Sequence, residues 1–120
     1  MRTPIEAVTA WHAAVNAGDI ESAVACCHPE VEVGGPRGTG RGHDLMRGWL
    51  RRPGIRLAPQ HELAESAPGV IVVEELAHWT AENTPFPAPT EPTPTWCTFR
   101  VEYGCLVSVV RHEERPDAST

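Results

Sequence analysis

Apolar side chains near the start of the chain recur at Ile5, Val8, Trp11 or His12, and Val15, spacings of three and four that put one stripe along a helix. The pattern predicts a helix from Pro4 to about Ala17. Thr3 is its N-cap, Pro4 takes the first helical position and Glu6 completes a capping box. Gly18 ends it. Asp19 then caps a second, shorter helix, Ile20 to Cys27, with Glu21 in the first turn where negative charge suits the dipole, and His28-Pro29 stops it. At Glu30-Val31-Glu32-Val33 the period changes to two, the mark of a half-buried strand. The glycine-rich segment from Gly34 to Gly42 reads as a loop. Helical spacing returns at Leu45, Met46, Trp49 and Leu50 after Gly42-His43-Asp44, and Pro53-Gly54 terminates this third helix.

The remainder reads as strands. Ile55 to Ser66 and Val70 to Ala81 are joined by Ala67-Pro68-Gly69, and Val70-Ile71-Val72-Val73 is strongly β-prone. Alternation in the second of these puts Ile71, Val73, Glu75, Ala77 and Trp79 on one face, taken as the inner one. Asn83 to Thr95 is rich in Pro and Thr and predicts a long exposed connection. Trp96 to Glu102 and Cys105 to His112 then form a last hairpin around Tyr103-Gly104. Three helices followed by a meander define an α+β class, in which the sheet folds over the helices to hide one face. At 120 residues the chain holds one core, a single domain over residues 1–113 with a polar C-terminal tail, 114–120.

A net charge of −6 and the absence of lysine argue against nucleic acid, whose phosphates are held by neutralising them. Arg37, Arg41, Arg47, Arg51, Arg52 and Arg56 cluster in one segment and read as a solvated face. No run approaches the ~20 apolar residues of a membrane span, and no signal-type segment opens the chain. Together these lead to a cytoplasmic expectation with no membrane partner. Cys26, Cys27, Cys97 and Cys105 lack zinc-like spacing and read as reduced, buried thiols.

Three segments carry a resemblance to a known family. Trp11-His12-Ala13-Ala14-Val15-Asn16-Ala17-Gly18-Asp19-Ile20-Glu21-Ser22-Ala23 resembles the first helix, Gly-Asp turn and second helix of the nuclear transport factor 2-like superfamily, which includes SnoaL-like and ketosteroid-isomerase-like proteins. Gly42-His43-Asp44-Leu45-Met46-Arg47-Gly48-Trp49-Leu50 resembles its third-helix entry, and Arg100-Val101-Glu102-Tyr103-Gly104-Cys105-Leu106 its final hairpin. In order, they span most of the chain from Trp11 to His112. The resemblance implies a cone made by a curved, mixed but mainly antiparallel sheet around three helices, a hydrophobic pocket inside, and a homodimer through the outer sheet face.

Ketosteroid isomerisation needs an aspartate base and an oxyanion hole of a tyrosine and a protonated aspartate. On the family register these positions fall on Gly35, Trp11 and Trp96, so all three side chains are absent. Asp19, Asp44 and Asp117 belong to a helix cap, a helix start and the tail. Isomerase chemistry of that type is not expected, nor is aspartate-based water activation. The candidate carboxyl is Glu75, which among apolar groups can serve as general acid or base; alternatively, Glu74 and Glu75 are both satisfied by arginines. His12 with His61 or His78 forms a second acid–base option. No HExxH or HxH spacing occurs among the six histidines, so no metal and no cofactor are expected. Trp11, Val15, Val33, Trp49, Trp79, Trp96 and Thr98 are the candidate pocket lining, with Trp11, Trp79 and Trp96 pointing inward on the family register. Two functions stay open. One is a small-molecule protein, either an enzyme on an apolar polyketide-, steroid- or terpenoid-like compound or a non-catalytic binder of it. The other is a non-enzymatic dimeric assembly domain whose cone is filled by tryptophans.

Overall fold

The computed structural model describes residues 1–35, 38–51, 56–78 and 93–112. Helix α1 spans Pro4–Asn16 and opens with the expected capping box: Glu6 N–H donates to Thr3 Oγ1 at 3.1 Å, and Thr3 N–H donates to Glu6 Oε1 at 2.8 Å. Helix α2, Ile20–Ala25, starts at Asp19, whose carboxylate accepts from Ser22 N–H and Ser22 Oγ; these bonds hold the Asp19 carboxyl below its ordinary value. Helix α3 spans His43–Leu50 and buries Met46 and Leu50. Arg47 of α3 reaches Glu21 of α2 at 2.9 Å and Asp44 at 2.9 Å, a surface clasp between the two short helices.

Among the described residues seven strands follow the order β2-β1-β7-β6-β5-β3 with β4 on β5: β1 Cys27–Gly35, β2 Gly38–Arg41, β3 Arg56–Pro59, β4 Glu65–Ala67, β5 Val70–His78, β6 Thr93–Glu102 and β7 Cys105–His112. All neighbours are antiparallel except β1 and β7, which run parallel and tie the chain's first strand to its last. The curved sheet wraps the three helices, with Trp11, Phe99, Met46, Ile71 and Leu106 among the largest fully buried side chains. No helix among the described residues is long and apolar enough to cross a membrane.

Four boundaries differ from the sequence reading. The glycine-rich stretch is not wholly loop, because Gly38–Arg41 pairs with β1 from Gly35↔Gly38 to Glu32↔Arg41. Its glycines serve close approach: a Cβ on Gly34 would lie 2.2 Å from Thr39 Cγ2. Helix α2 ends at Ala25, and Cys27-His28-Pro29 enters β1 because the parallel partner β7 captures it; the proline sits where the ladder is irregular, between Cys27 and Glu32. The Ile55 to Ser66 strand divides into β3 and β4, the first closing at Pro59. Strand β6 begins at Thr93, so Thr93 to Thr95 leave the expected connection and pair with Glu75 to Ala77 of β5. The rest of that connection, residues 83–92, and the predicted helix stop at Pro53-Gly54 lie outside the described residues.

Packing also decides the state of the thiols. Burial, with Cys26 and Cys105 nearby, pushes Cys27 from an ordinary 9.0 up to about 12, and burial followed by the Glu75 carboxyl pushes Cys97 well above that ordinary value. Between 9.0 and about 12 the unfolded chain has released the Cys27 proton and the folded chain still holds it. Stability therefore falls with rising pH in that window and is unaffected by this group below it. Urea midpoints taken on either side of pH 9.0 are expected to show the fall, and Cys27→Ala to make it shallower. An equally steep fall in that variant would assign the effect elsewhere.

Candidate active site

Helix α1 and strand β5 bring one ionisable residue each into the core. On α1, Val8, Trp11, His12 and Val15 share the buried face. On β5, strict alternation buries Ile71, Val73, Glu75 and Ala77. The two meet as His12 Nε2 against Glu75 Oε1, with His12 5% and Glu75 0% exposed.

The other ring nitrogen determines how protons are arranged. His12 Nδ1 lies 2.9 Å from the carbonyl oxygen of Val8, one helical turn back. A carbonyl can only accept, so Nδ1 carries hydrogen, and a hydrogen bond between Nε2 and Glu75 then needs one further proton, on Nε2 or on the carboxyl. The pair is either imidazolium with carboxylate or imidazole with carboxylic acid. Both forms keep a proton between His12 and Glu75 in a dry setting where such hydrogen bonds are strong.

Buried polar atoms are normally paired, yet Glu75 Oε2 and Trp11 Nε1 find no partner among the described residues. One is an acceptor when the carboxyl is ionised; the other is a donor only. The Trp11 indole stands edge-on to the His12 ring at 5.0 Å, edge-on to Phe99 at 5.3 Å, and stacks with Trp49 at 6.1 Å. Phe99 is also 5.3 Å from the His12 ring, so aromatic groups wall the imidazole. Behind Glu75, the buried Thr95 is its register partner; its hydroxyl donates to the His112 carbonyl at 2.9 Å and accepts from Arg111 Nε at 3.1 Å.

Of the residues named from sequence, Glu75, Trp11, Val15 and Val33 are buried in the core, and Trp49 is half-buried on Trp11. Trp79 lies outside the described residues. Trp96 and Thr98 need correction, because they occupy the outer face of β6 while Thr95, Cys97 and Phe99 face inward. The tight Tyr103-Gly104 turn leaves Glu102 outward, and even-numbered positions follow it. Thr98 Oγ1 is instead 3.0 Å from His112 Nε2. Among the described residues the glutamates are met by histidines: Glu75 by His12, and the outward Glu74 by the exposed His61 at 3.1 Å. His12 therefore pairs with Glu75, not with His61 or His78. The signal for that pairing was the position of His12 on an apolar helix stripe, where a polar group requires a buried partner. Phe99 was not singled out from sequence. Among the described residues no three His, Cys, Asp or Glu side chains converge to hold a metal ion.

A curved sheet closed over three helices, with the buried His12–Glu75 contact between the first helix and the sheet, defines a cystatin-like α+β domain. The chain belongs to the SnoaL-like domain family, whose pattern matches residues 8–109. Among solved structures it is similar to the epoxide hydrolase/cyclase-like enzyme SalBIII, of pyran ring formation in the polyether salinomycin, with 16% identity over 91% of this chain and 88% of that one at a TM-score of 0.83. It is also similar to a candidate polyketide cyclase from Pseudomonas putida KT2440, with 20% identity, coverage of 99% and 95% and a TM-score of 0.76. An LEH-like epoxide hydrolase of M. tuberculosis matches at 16% identity, 91% and 80% coverage and a TM-score of 0.72. At such identities the likeness speaks for the fold. No curated protein matches the chain by sequence.

Proposed function

We propose that the protein binds a small apolar, oxygen-bearing molecule of polyketide, steroid or terpenoid type inside the cone and transforms it by proton transfer at the His12–Glu75 pair. The observation that carries this reading is the fully buried carboxyl with one oxygen engaged by His12 and the other, with the Cys97 thiol nearby, left without a hydrogen-bond partner among the described residues. In its ionised form Glu75 Oε2 takes a proton from water or from a substrate O–H or C–H, while His12, anchored on the Val8 carbonyl, offsets the carboxylate charge. In its protonated form the same carboxyl gives a proton to a substrate oxygen. Trp11 Nε1–H supplies a donor for a second oxygen, and the rings of Trp11, Trp49 and Phe99 suit a flat apolar body. The likeness to proteins named as epoxide hydrolase or cyclase supports conversion over storage alone.

Tryptophan fluorescence titrated with a panel of epoxides, aromatic polyketides, steroids and terpenoids tests binding, and product analysis on the responding class tests conversion. Glu75→Gln is expected to slow turnover by about 10²–10⁴-fold, the usual contribution of a positioned acid or base. Glu74→Gln, on the outward face beside His61, is expected to leave it intact. A silent panel, or equal turnover in the Glu75 variant, would remove the proposal.

A further inference from the structure

Three of the four cysteines gather away from the His12–Glu75 pair, where α2, β1 and β7 meet. Cys26 caps α2, Cys27 opens β1 and Cys105 opens β7. Parallel pairing brings them together: Leu106 N–H donates to the Cys26 carbonyl at 2.9 Å, and Cys27 is the register partner of Leu106. One step earlier on each segment stand Cys26 and Cys105. Adjacent strands run about 4.8 Å apart, within the ~4.4–6.8 Å between Cα atoms that a disulfide spans.

Cys26 and Cys27 are both buried, their thiols donating to the Ser22 carbonyl at 3.3 Å and the Ala23 carbonyl at 3.5 Å, whereas Cys105, paired with the exposed Glu102, is half-exposed. Arg2 Nη1 donates to Cys26 Sγ at 3.5 Å. The Arg2 backbone also packs on Gly104, where an added Cβ would come within 3.1 Å of Arg2 N. The Cys26 sulfur thus faces the N-terminal segment that covers the turn leading into Cys105.

We infer that Cys26 and Cys105 form a peroxide-oxidisable dithiol that closes to an intramolecular disulfide, pinning the end of α2 to the start of β7. Hydrogen peroxide is the oxidant. The sulfur of the half-exposed Cys105 attacks one peroxide oxygen, the O–O bond breaks, and water leaves with a sulfenic acid on Cys105. Cys26 sulfur then attacks the sulfenic sulfur, the S–O bond breaks and a second water leaves as the S–S bond forms. Two thiols lose one hydrogen each and one peroxide becomes two waters. Cys27, whose proton is held up to about 12, and the fully buried Cys97 stay reduced.

The test exposes the full chain to hydrogen peroxide, then counts thiols after denaturation and maps linked peptides by mass spectrometry. The expected result is a fall from four thiols to two, a mass lower by two hydrogens, and reversal by dithiothreitol. Cys26→Ser and Cys105→Ser should each prevent the cross-link, and Cys27→Ser and Cys97→Ser should retain it. Fragmentation of the wild-type cross-linked peptide distinguishes Cys26 from its neighbour should the Cys27 variant fail to fold. Four surviving thiols, a bridge through Cys27 or Cys97, oxygen adducts without a bridge, or a disulfide between two chains would each overturn the inference.

Discussion

His12→Ala is expected to destabilise the folded protein by about 3–5 kcal/mol, the usual effect of removing one partner from a buried pair. The imidazole contributes more than packing. With it gone, the Glu75 carboxyl stays fully buried on the face it shares with Val73 and Ala77 and loses the partner that engages Oε1, while Oε2 already has none among the described residues. The alanine cannot reach it. Replacing both residues by leucine is expected to recover most of the loss, because two apolar side chains leave no polar atom to satisfy. Urea unfolding of the two variants beside the parent measures this directly. A single variant within about 1 kcal/mol of the parent, the range of an exposed pair, would show that the contact is not a buried one.

Trp11→Ala is the second large effect, again about 3–5 kcal/mol, as expected when a large aromatic is removed from a close-packed core. Trp11 is 0% exposed and touches Trp49, Phe99 and His12, so its loss opens space on every side of the imidazole. Trp11→Phe separates packing from chemistry. The indole N–H has no partner among the described residues, so phenylalanine forfeits volume and no internal hydrogen bond. Thermal unfolding should place Trp11→Phe much nearer the parent than Trp11→Ala, while its ligand response in the fluorescence titration weakens. A Phe variant as unstable as the Ala variant would mean that the N–H is engaged within the protein. Unchanged ligand affinity would remove Trp11 as the donor.

Local rules of the chain were enough for the helices. Thr3-Pro4 with Glu6 and the Gly18-Asp19 turn place α1 and the start of α2, because capping is chemistry between residues three positions apart, and the apolar spacing of Met46, Trp49 and Leu50 after Gly42 places α3. Strand β5 was legible for a similar reason, since a period of two leaves one of Glu74 and Glu75 facing inward; Val72 and Leu76 beside Glu74 are as apolar as Val73 and Ala77 beside Glu75, so packing decided which one. The final hairpin was readable from Tyr103-Gly104, whose φ angles of 52° and 76° suit a two-residue turn. Strand β2 and the first residues of β1 and β6 were not, because glycine and proline report local freedom and say nothing of a partner strand brought from far away. Trp96 misled for a further reason: its size suggests the interior, yet pleat and turn together hold it outward and give the inner position to Cys97.

From sequence alone came the α+β class, the three helices, the inward position of one of Glu74 and Glu75, and the kinship with SnoaL-like domains. Each follows from short-range periodicity, capping or motif order. Only the tertiary structure decided that His12 meets Glu75 across 63 positions of chain, that β1 lies parallel beside β7, and that Cys26 comes to rest next to Cys105. Those contacts depend on how the sheet curves over α1, and curvature is set by the packing of all the strands at once, which no local pattern of residues records.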